Sequence, residues 1–129
     1  MEIDNPTAKA ELEEAFRRYE VALTTNDVTT LDELFKNAPY TIRYGATEVL
    51  HGYAEIAAFR AARPSQGLAR TLIKTVVTTF GRDFGTASTT FRREGGTKLG
   101  RQMQTWVRFP DEGWRVVAAH VSLMDEPKG

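Results

Sequence analysis

The chain has 129 residues, of which 41% are hydrophobic and 26% are charged, as expected for one globular domain spanning residues 1–129. Basic and acidic residues number 17 each, and this zero net charge argues against nucleic acid or an anionic membrane as a partner. The absence of cysteine excludes disulfides and thiolate catalysis. Because no signal peptide or membrane-spanning run is present in the sequence, we expect a cytoplasmic protein.

The N-terminal half predicts three helices and two short strands. Asn5 followed by Pro6 is typical of a helix start, and apolar residues then recur with helical spacing. Asn26 and Asp27 end this helix and cap a short second helix that stops before Pro39. Strands are predicted at 41–44 and 47–50. A third helix should then begin near Gly52 and end at Pro64.

The C-terminal half predicts four long strands, at 71–80, 84–93, 100–109 and 114–124. Glycine-containing turns separate them, and strands joined in this way pair antiparallel. The predicted class is therefore α+β. Three helices should pack on a strongly curved antiparallel sheet of two short and four long strands, and together they should enclose a pocket.

Few catalytic mechanisms fit the residues that this sequence offers. Its two histidines, His51 and His120, are far apart and have no partner at the spacing of metal ligands, so we expect no metal. No glycine-rich nucleotide-binding motif is present, so we expect no cofactor. The strand interiors carry almost no acid, and the helical acids lie mainly on solvent-exposed faces. A catalytic pair of carboxylates is therefore disfavoured.

Tyr19 and Arg43 are the main candidates for a pocket. Tyr19 lies in the apolar stripe of the first helix, where it is either a core residue or a hydroxyl donor to a ligand. Arg43 points to the face opposite Ile42 and Tyr44. It is either a solvated edge residue or a two-pronged ligand for a carboxylate.

Further candidates lie on the third helix and the last two strands. Arg60 and Arg63 either bind a second anion or form a solvated helix end. Gln104 and Trp106 share a strand face and can form a pocket wall. His120 and Ser122 share another face about 7 Å apart, too far for direct proton transfer, so His120 is expected to be a hydrogen-bonding group of the pocket.

Four segments of the chain resemble the AtzH/HpxZ-like family, a branch of the SnoaL-like (nuclear-transport-factor-2-like) superfamily. They are FRRYEVALTTNDVTTLDELF (16–35), IRYGATEVLHGYAEIAAFRAARP (42–64), TVVTTFGRDFGTAS (75–88) and GRQMQTWVRFPDEGWRVVAAHVSLM (100–124). The resemblance implies a cone-shaped fold of this superfamily over nearly the whole chain.

The resemblance also implies an activity, which is conversion of 1,3-dicarboxyurea to allophanate with loss of carbon dioxide. This decarboxylating amidohydrolase reaction belongs to nitrogen catabolism from cyanuric acid and s-triazines, or from oxalurate. The catalytic tyrosine and arginine of the family fall on Tyr19 and Arg43. Further implied partners are a small anionic carboxylated urea and a functionally linked amidase. A homodimer through the outer face of the sheet is expected separately, because an open sheet with aromatic residues on both faces usually buries both.

Two non-catalytic alternatives remain open at this point. The chain could be an accessory or small-anion-binding subunit of a partner amidase, because one fold hosts many functions. It could also be an oligomerisation domain, although its small size and the absence of an appended domain in the sequence argue against that.

Overall fold

The computed structural model of this protein describes residues 1–126. It confirms the predicted α+β class, with three helices and six strands in the predicted order. The helices are α1 (Pro6–Thr24), α2 (Val28–Leu34) and α3 (Tyr53–Ala62), and the strands are β1 (Ile42–Tyr44), β2 (Val49–His51), β3 (Arg70–Phe80), β4 (Phe84–Arg93), β5 (Leu99–Phe109) and β6 (Gly113–Met124). None of the helices within residues 1–126 is both long and apolar enough to cross a membrane.

The six strands form one sheet in the order β2-β1-β6-β5-β4-β3. The four long strands pair antiparallel, as predicted, and so do β1 and β2. The expectation of an entirely antiparallel sheet needs correction, because β1 pairs with β6 in parallel. These two strands are distant in sequence, so no tight turn sets their relative direction. The path of the chain through α3 and the far edge of the sheet sets it instead.

Helix α1 packs its apolar stripe against the inner face of the sheet. Leu12, Phe16 and Tyr19 of this helix share one core with Trp106 and Val116 of the sheet. The helix begins as predicted, with the Asn5 side chain accepting a hydrogen bond from the backbone N–H of Ala8 at 3.0 Å. This packing places the inner face of the sheet opposite the helices and leaves the outer face exposed.

A β-bulge in β6 changes which residues of that strand point inward. Trp106 pairs with Val116 and Thr105 pairs with Ala118, so Val117 is an extra residue in the ladder. The alternation of side chains therefore reverses after Val116, and Ala119 becomes the next buried residue.

Candidate functional site

A cavity of about 290 Å³ opens where the β1–β2 turn, the end of α3 and strand β6 meet. Its wall combines apolar groups with several arginines and one acid. It is lined by Arg43, Ala46, Thr47, Glu48, Phe59, Arg63, Pro64, Gln66, Gly67, Leu68, Arg93 and Val121. This concentration of positive charge at a concave surface makes the cavity our candidate site.

Arg43 turns into this cavity and is not a solvated edge residue. Its side chain is 11% exposed, and its Nη1 donates a hydrogen bond to Oε1 of Glu48 at 2.6 Å. The guanidinium carbon lies 5.5 Å from the centre of the Phe59 ring. Strand β1 therefore presents a fixed cation to the cavity.

Glu48 is held in place by several donors at once. Its second oxygen accepts hydrogen bonds from the hydroxyl of Thr47 at 2.7 Å and from the backbone N–H of Thr47 at 3.2 Å. Gly45 makes this arrangement possible, because a β-carbon at that position would collide with the carboxylate. Burial raises the pKa of Glu48, but hydrogen bonds from Thr47 and Arg43 and the charge of Arg43 outweigh it. The pKa therefore lies below its usual value.

Arg63 is a half-buried cation in the wall of the cavity. Its Nε and Nη2 atoms are buried and have no hydrogen-bond partner among residues 1–126. Its guanidinium carbon lies 6.0 Å from the centre of the same Phe59 ring that contacts Arg43. Burial lowers the pKa of Arg63, and the nearby charges of Arg43 and Arg60 lower it further. An arginine with buried, unpaired donors is poised to bind an anion.

Arg60 does not act as the predicted second anion-binding residue. It is 4% exposed, and its Nη1 donates a hydrogen bond to Oδ1 of Asp32 at 2.7 Å. Its guanidinium also stacks on Phe35 at 4.6 Å. Arg60 thus ties α3 to α2, whereas Arg63 faces the cavity. Sequence spacing alone did not separate the two, because both follow Phe59 on the same helix.

The ring of Tyr19 belongs to the core, as one of the two interpretations expected. It is 3% exposed and stacks against Phe16 with ring centres 6.2 Å apart. The other interpretation, a hydroxyl that donates to a ligand, stays a prediction, because Tyr19 is not among the residues that line the cavity.

Gln104 and Trp106 share one face of β5, as predicted; it is the inner face, where both are buried and neither lines the cavity, so their role as a pocket wall stays a prediction. Oε1 of Gln104 accepts a hydrogen bond from Nε1 of Trp106 at 3.0 Å, whereas Nε2 of Gln104 has no partner in the described part of the chain. The pairing of β1, β6 and β5 puts Arg43, Ala119 and Gln104 in one row across the sheet. Ala119 therefore lies between Arg43 and Gln104, and the two polar residues lie on the same face of the sheet.

His120 is not a pocket residue, and its prediction is corrected by the bulge at Val117. It is exposed on the outer face of the sheet, opposite Ala119 and Val121. There its ring packs edge-on against Tyr44, with ring centres 5.9 Å apart. Tyr44 in turn hydrogen bonds His51 at 3.0 Å, so both histidines border the outer face.

The helical acids are mainly exposed, as predicted, but three acids pair with arginines of the interior. Glu20, Asp32 and Glu48 pair with arginines: with Arg70, Arg60 and Arg43 respectively. A larger groove of about 480 Å³ lies between α1 and β3, but its lining acids and bases all come from α1, and two of them, Glu13 and Arg17, are exposed. We assign the site to the smaller cavity because only that one holds a buried, unpaired guanidinium among its lining residues.

The helices and curved sheet around this cavity define a nuclear-transport-factor-2-like (NTF2-like) protein. A protein of that superfamily from Salmonella enterica serovar Typhimurium LT2 is similar over 95% of this chain and 94% of its own, with 26% identity and a TM-score of 0.73. The model of the AtzH-like family matches residues 1–127, so the chain belongs to the AtzH-like family.

Two solved structures are more similar. A protein of unknown function from the DUF3225 family of Pectobacterium atrosepticum SCRI1043 is 59% identical, with 95% of each chain covered and a TM-score of 0.93. A cystatin-like fold protein of Burkholderia xenovorans LB400 is 48% identical, with 98% of this chain and 99% of the other covered and a TM-score of 0.94. No curated protein matches the chain.

The two arginines of α3 should differ in their effect on stability. We expect Arg60→Gln to lower the free energy of unfolding by roughly 3 kcal/mol, because it leaves Asp32 without its partner. Arg63→Gln removes an unpaired buried charge and should change the same quantity by less than about 1 kcal/mol. Urea unfolding of both variants measures this, and equal losses would show that Arg63 also has a structural role.

The lowered pKa of Glu48 predicts how this residue contributes to acid stability. A depressed carboxyl pKa stabilises the fold above the unfolded-state value of about 4.3, and this contribution disappears as the pH falls through the folded-state value. The stability difference between wild type and Glu48→Gln should therefore be constant at neutral pH and shrink below about pH 4.3. Urea unfolding across pH 3–7 measures it, with exposed Glu13→Gln as control. A difference that persists unchanged at pH 3 would contradict the prediction.

Proposed function

We propose that this protein is a decarboxylating amidohydrolase that converts 1,3-dicarboxyurea to allophanate in nitrogen catabolism from cyanuric acid and s-triazines, or from oxalurate. The observation that carries the proposal is the inward-facing Arg43, which Glu48 fixes in the wall of the cavity. Membership of the AtzH-like family supports the choice of substrate class. A cytoplasmic location belongs to the same proposal.

Arg43 binds one carboxylate of the substrate in this proposal. A guanidinium matches the two oxygens of a carboxylate, and the partly buried site strengthens the interaction. The free Nε2 of Gln104 then serves as a donor to a polar atom of the substrate, and Trp106 fixes the amide by hydrogen bonding its oxygen. These residues orient the substrate and carry out no bond breaking.

Tyr19 supplies the proton that the reaction consumes. The bond between the nitrogen and the carboxylate carbon breaks, and its electron pair remains on the nitrogen. Carbon dioxide leaves, the nitrogen takes a proton from the Tyr19 hydroxyl, and solvent then returns a proton to Tyr19. This step needs neither a nucleophile nor a pair of carboxylates. Proton donation of this kind contributes typically about 10²–10⁴-fold to a rate.

A non-catalytic role is the alternative, as an accessory or small-anion-binding subunit of a partner amidase. The unpaired Arg63 favours it, because an anion-binding site needs only such a donor and no catalytic tyrosine. The two functions differ in what Tyr19 must do, so substitution of that residue separates them.

Turnover of freshly generated 1,3-dicarboxyurea tests the proposal directly. The wild type should form allophanate faster than the spontaneous rate, and Tyr19→Phe should lower kcat by roughly 100-fold or more. Arg43→Ala should mainly raise KM, by at least about tenfold, because it removes a charged hydrogen bond to the substrate. Tyr44→Phe, which changes an exposed tyrosine outside the cavity, should leave both constants unchanged.

The outcomes separate the two functions, provided that circular dichroism shows each variant to be folded. A wild type that adds nothing to the spontaneous rate would reject the enzyme and favour the anion-binding subunit. A fully active Tyr19→Phe would show that the proton comes from another group.

We also propose that the protein forms a homodimer through the outer face of its sheet. Val76 and Met103 are 49% and 63% exposed there, and they share a cross-strand row with His120 and Tyr44. A second copy would bury these apolar side chains. Met103→Glu should therefore shift the sedimentation coefficient to that of a monomer, whereas a wild type that sediments as a monomer at all concentrations would contradict the dimer.

A further inference from the structure

We infer that Arg63 binds the second carboxylate of the ligand, which makes the cavity selective for dicarboxylates over monocarboxylates. The chain length of the ligand rests on the proposed function, whereas the anion-binding role of Arg63 rests on the structure. Arg43 of strand β1 binds one end of the ligand, and Arg63 at the end of helix α3 binds the other.

The arginines around the cavity outnumber the acids that pair with them. Arg43 and Arg60 are each neutralised by one acid, Glu48 and Asp32 respectively. Arg63 has no such partner within residues 1–126, although its Nε and Nη2 are buried. These three arginines therefore carry one positive charge more than their two acids, and the exposed Arg93 on the rim of the cavity adds a second. Water can satisfy the hydrogen bonds of a buried guanidinium but cannot neutralise it, so the missing partner is an anion.

Arg43 and Arg63 both lie close to the ring of Phe59. Their guanidinium carbons lie 5.5 Å and 6.0 Å from the centre of one ring, that of Phe59. Both arginines line the same cavity, with Phe59 forming the apolar wall that they share. A ligand with a carboxylate at each end contacts both guanidinium groups at once, whereas a monocarboxylate contacts only one.

The guanidinium groups of Arg43 and Arg63 differ in how many of their hydrogen-bond donors are free to bind a carboxylate. Arg43 keeps Glu48 as a partner, so a carboxylate that binds Arg43 must share its donors. The donors of Arg63 are not used by any of the described residues, so Arg63 offers an incoming carboxylate more hydrogen bonds without competition. We therefore assign the larger share of anion affinity to Arg63.

Binding of a stable dicarboxylate tests the inference without catalysis. Glutarate has the chain length of 1,3-dicarboxyurea, and pentanoate is the same chain with a methyl group in place of one carboxylate. Isothermal titration calorimetry at constant ionic strength should show glutarate binding at least about tenfold more tightly than pentanoate, the effect of one further charged hydrogen-bonded pair.

Substitutions then identify which residue reads the second carboxylate. Arg63→Gln should bring the glutarate to pentanoate ratio close to one. Arg93→Gln is the matched control, because it removes an equal charge from the exposed rim of the same cavity. It should leave the ratio above about tenfold. Circular dichroism of both variants confirms that they are folded.

A ratio that Arg63→Gln leaves unchanged would overturn the inference, as would a ratio lost equally in Arg93→Gln. Only the chain length of the probe rests on the proposed function, and the binding test and the turnover test can fail separately. Loss of the glutarate preference in Arg63→Gln, together with no turnover of 1,3-dicarboxyurea, would support the inference and reject the enzyme. Turnover of 1,3-dicarboxyurea, together with a glutarate preference that Arg63→Gln leaves unchanged, would support the enzyme and reject the inference.

Discussion

The parallel pairing of β1 with β6 is the constraint on which the candidate site depends. This short ladder places Arg43 beside Ala119, and the β5–β6 ladder extends the same row to Gln104. The small side chain of Ala119 leaves space between the two polar residues. The bulge at Val117 is equally necessary, because without it the inner position of this row would be taken by a neighbour of Ala119. Two local features of one strand thus decide which side chains the cavity receives.

Charge pairing divides the arginines of the interior into structural residues and one available residue. Arg60 joins α3 to α2 through Asp32, and Arg70 joins β3 to α1 through two hydrogen bonds of 2.7 Å to Glu20. Arg43 is oriented by Glu48, and Arg63 alone keeps buried donors without a partner in residues 1–126. A protein with no net charge can therefore still present a locally positive cavity.

The sequence predicted the elements well because their signals are local. Helix caps, prolines and glycine turns identified three helices and six strands, and the alternation along β5 placed Gln104 and Trp106 on one face of the sheet. The prediction for His120 failed because residues 116–119 are all small or apolar, so their pattern does not reveal an extra residue in the ladder. The sequence also could not show which of Arg60 and Arg63 faces the cavity, because Arg60 is held by Asp32, which comes from another helix. The direction of β1 beside β6 likewise depends on a contact between distant segments.

Because Nε and Nη2 of Arg63 have no partner among residues 1–126, the stability of the folded chain depends on whether an anion is bound in the cavity. Burial of these donors without a partner makes the native state less favourable than the same fold with an anion bound. Any anion that occupies the cavity binds the folded chain and not the unfolded one, so it draws the conformational equilibrium toward the native state. Local opening of the end of α3, and with it proteolytic attack, should consequently be suppressed when the ligand is abundant.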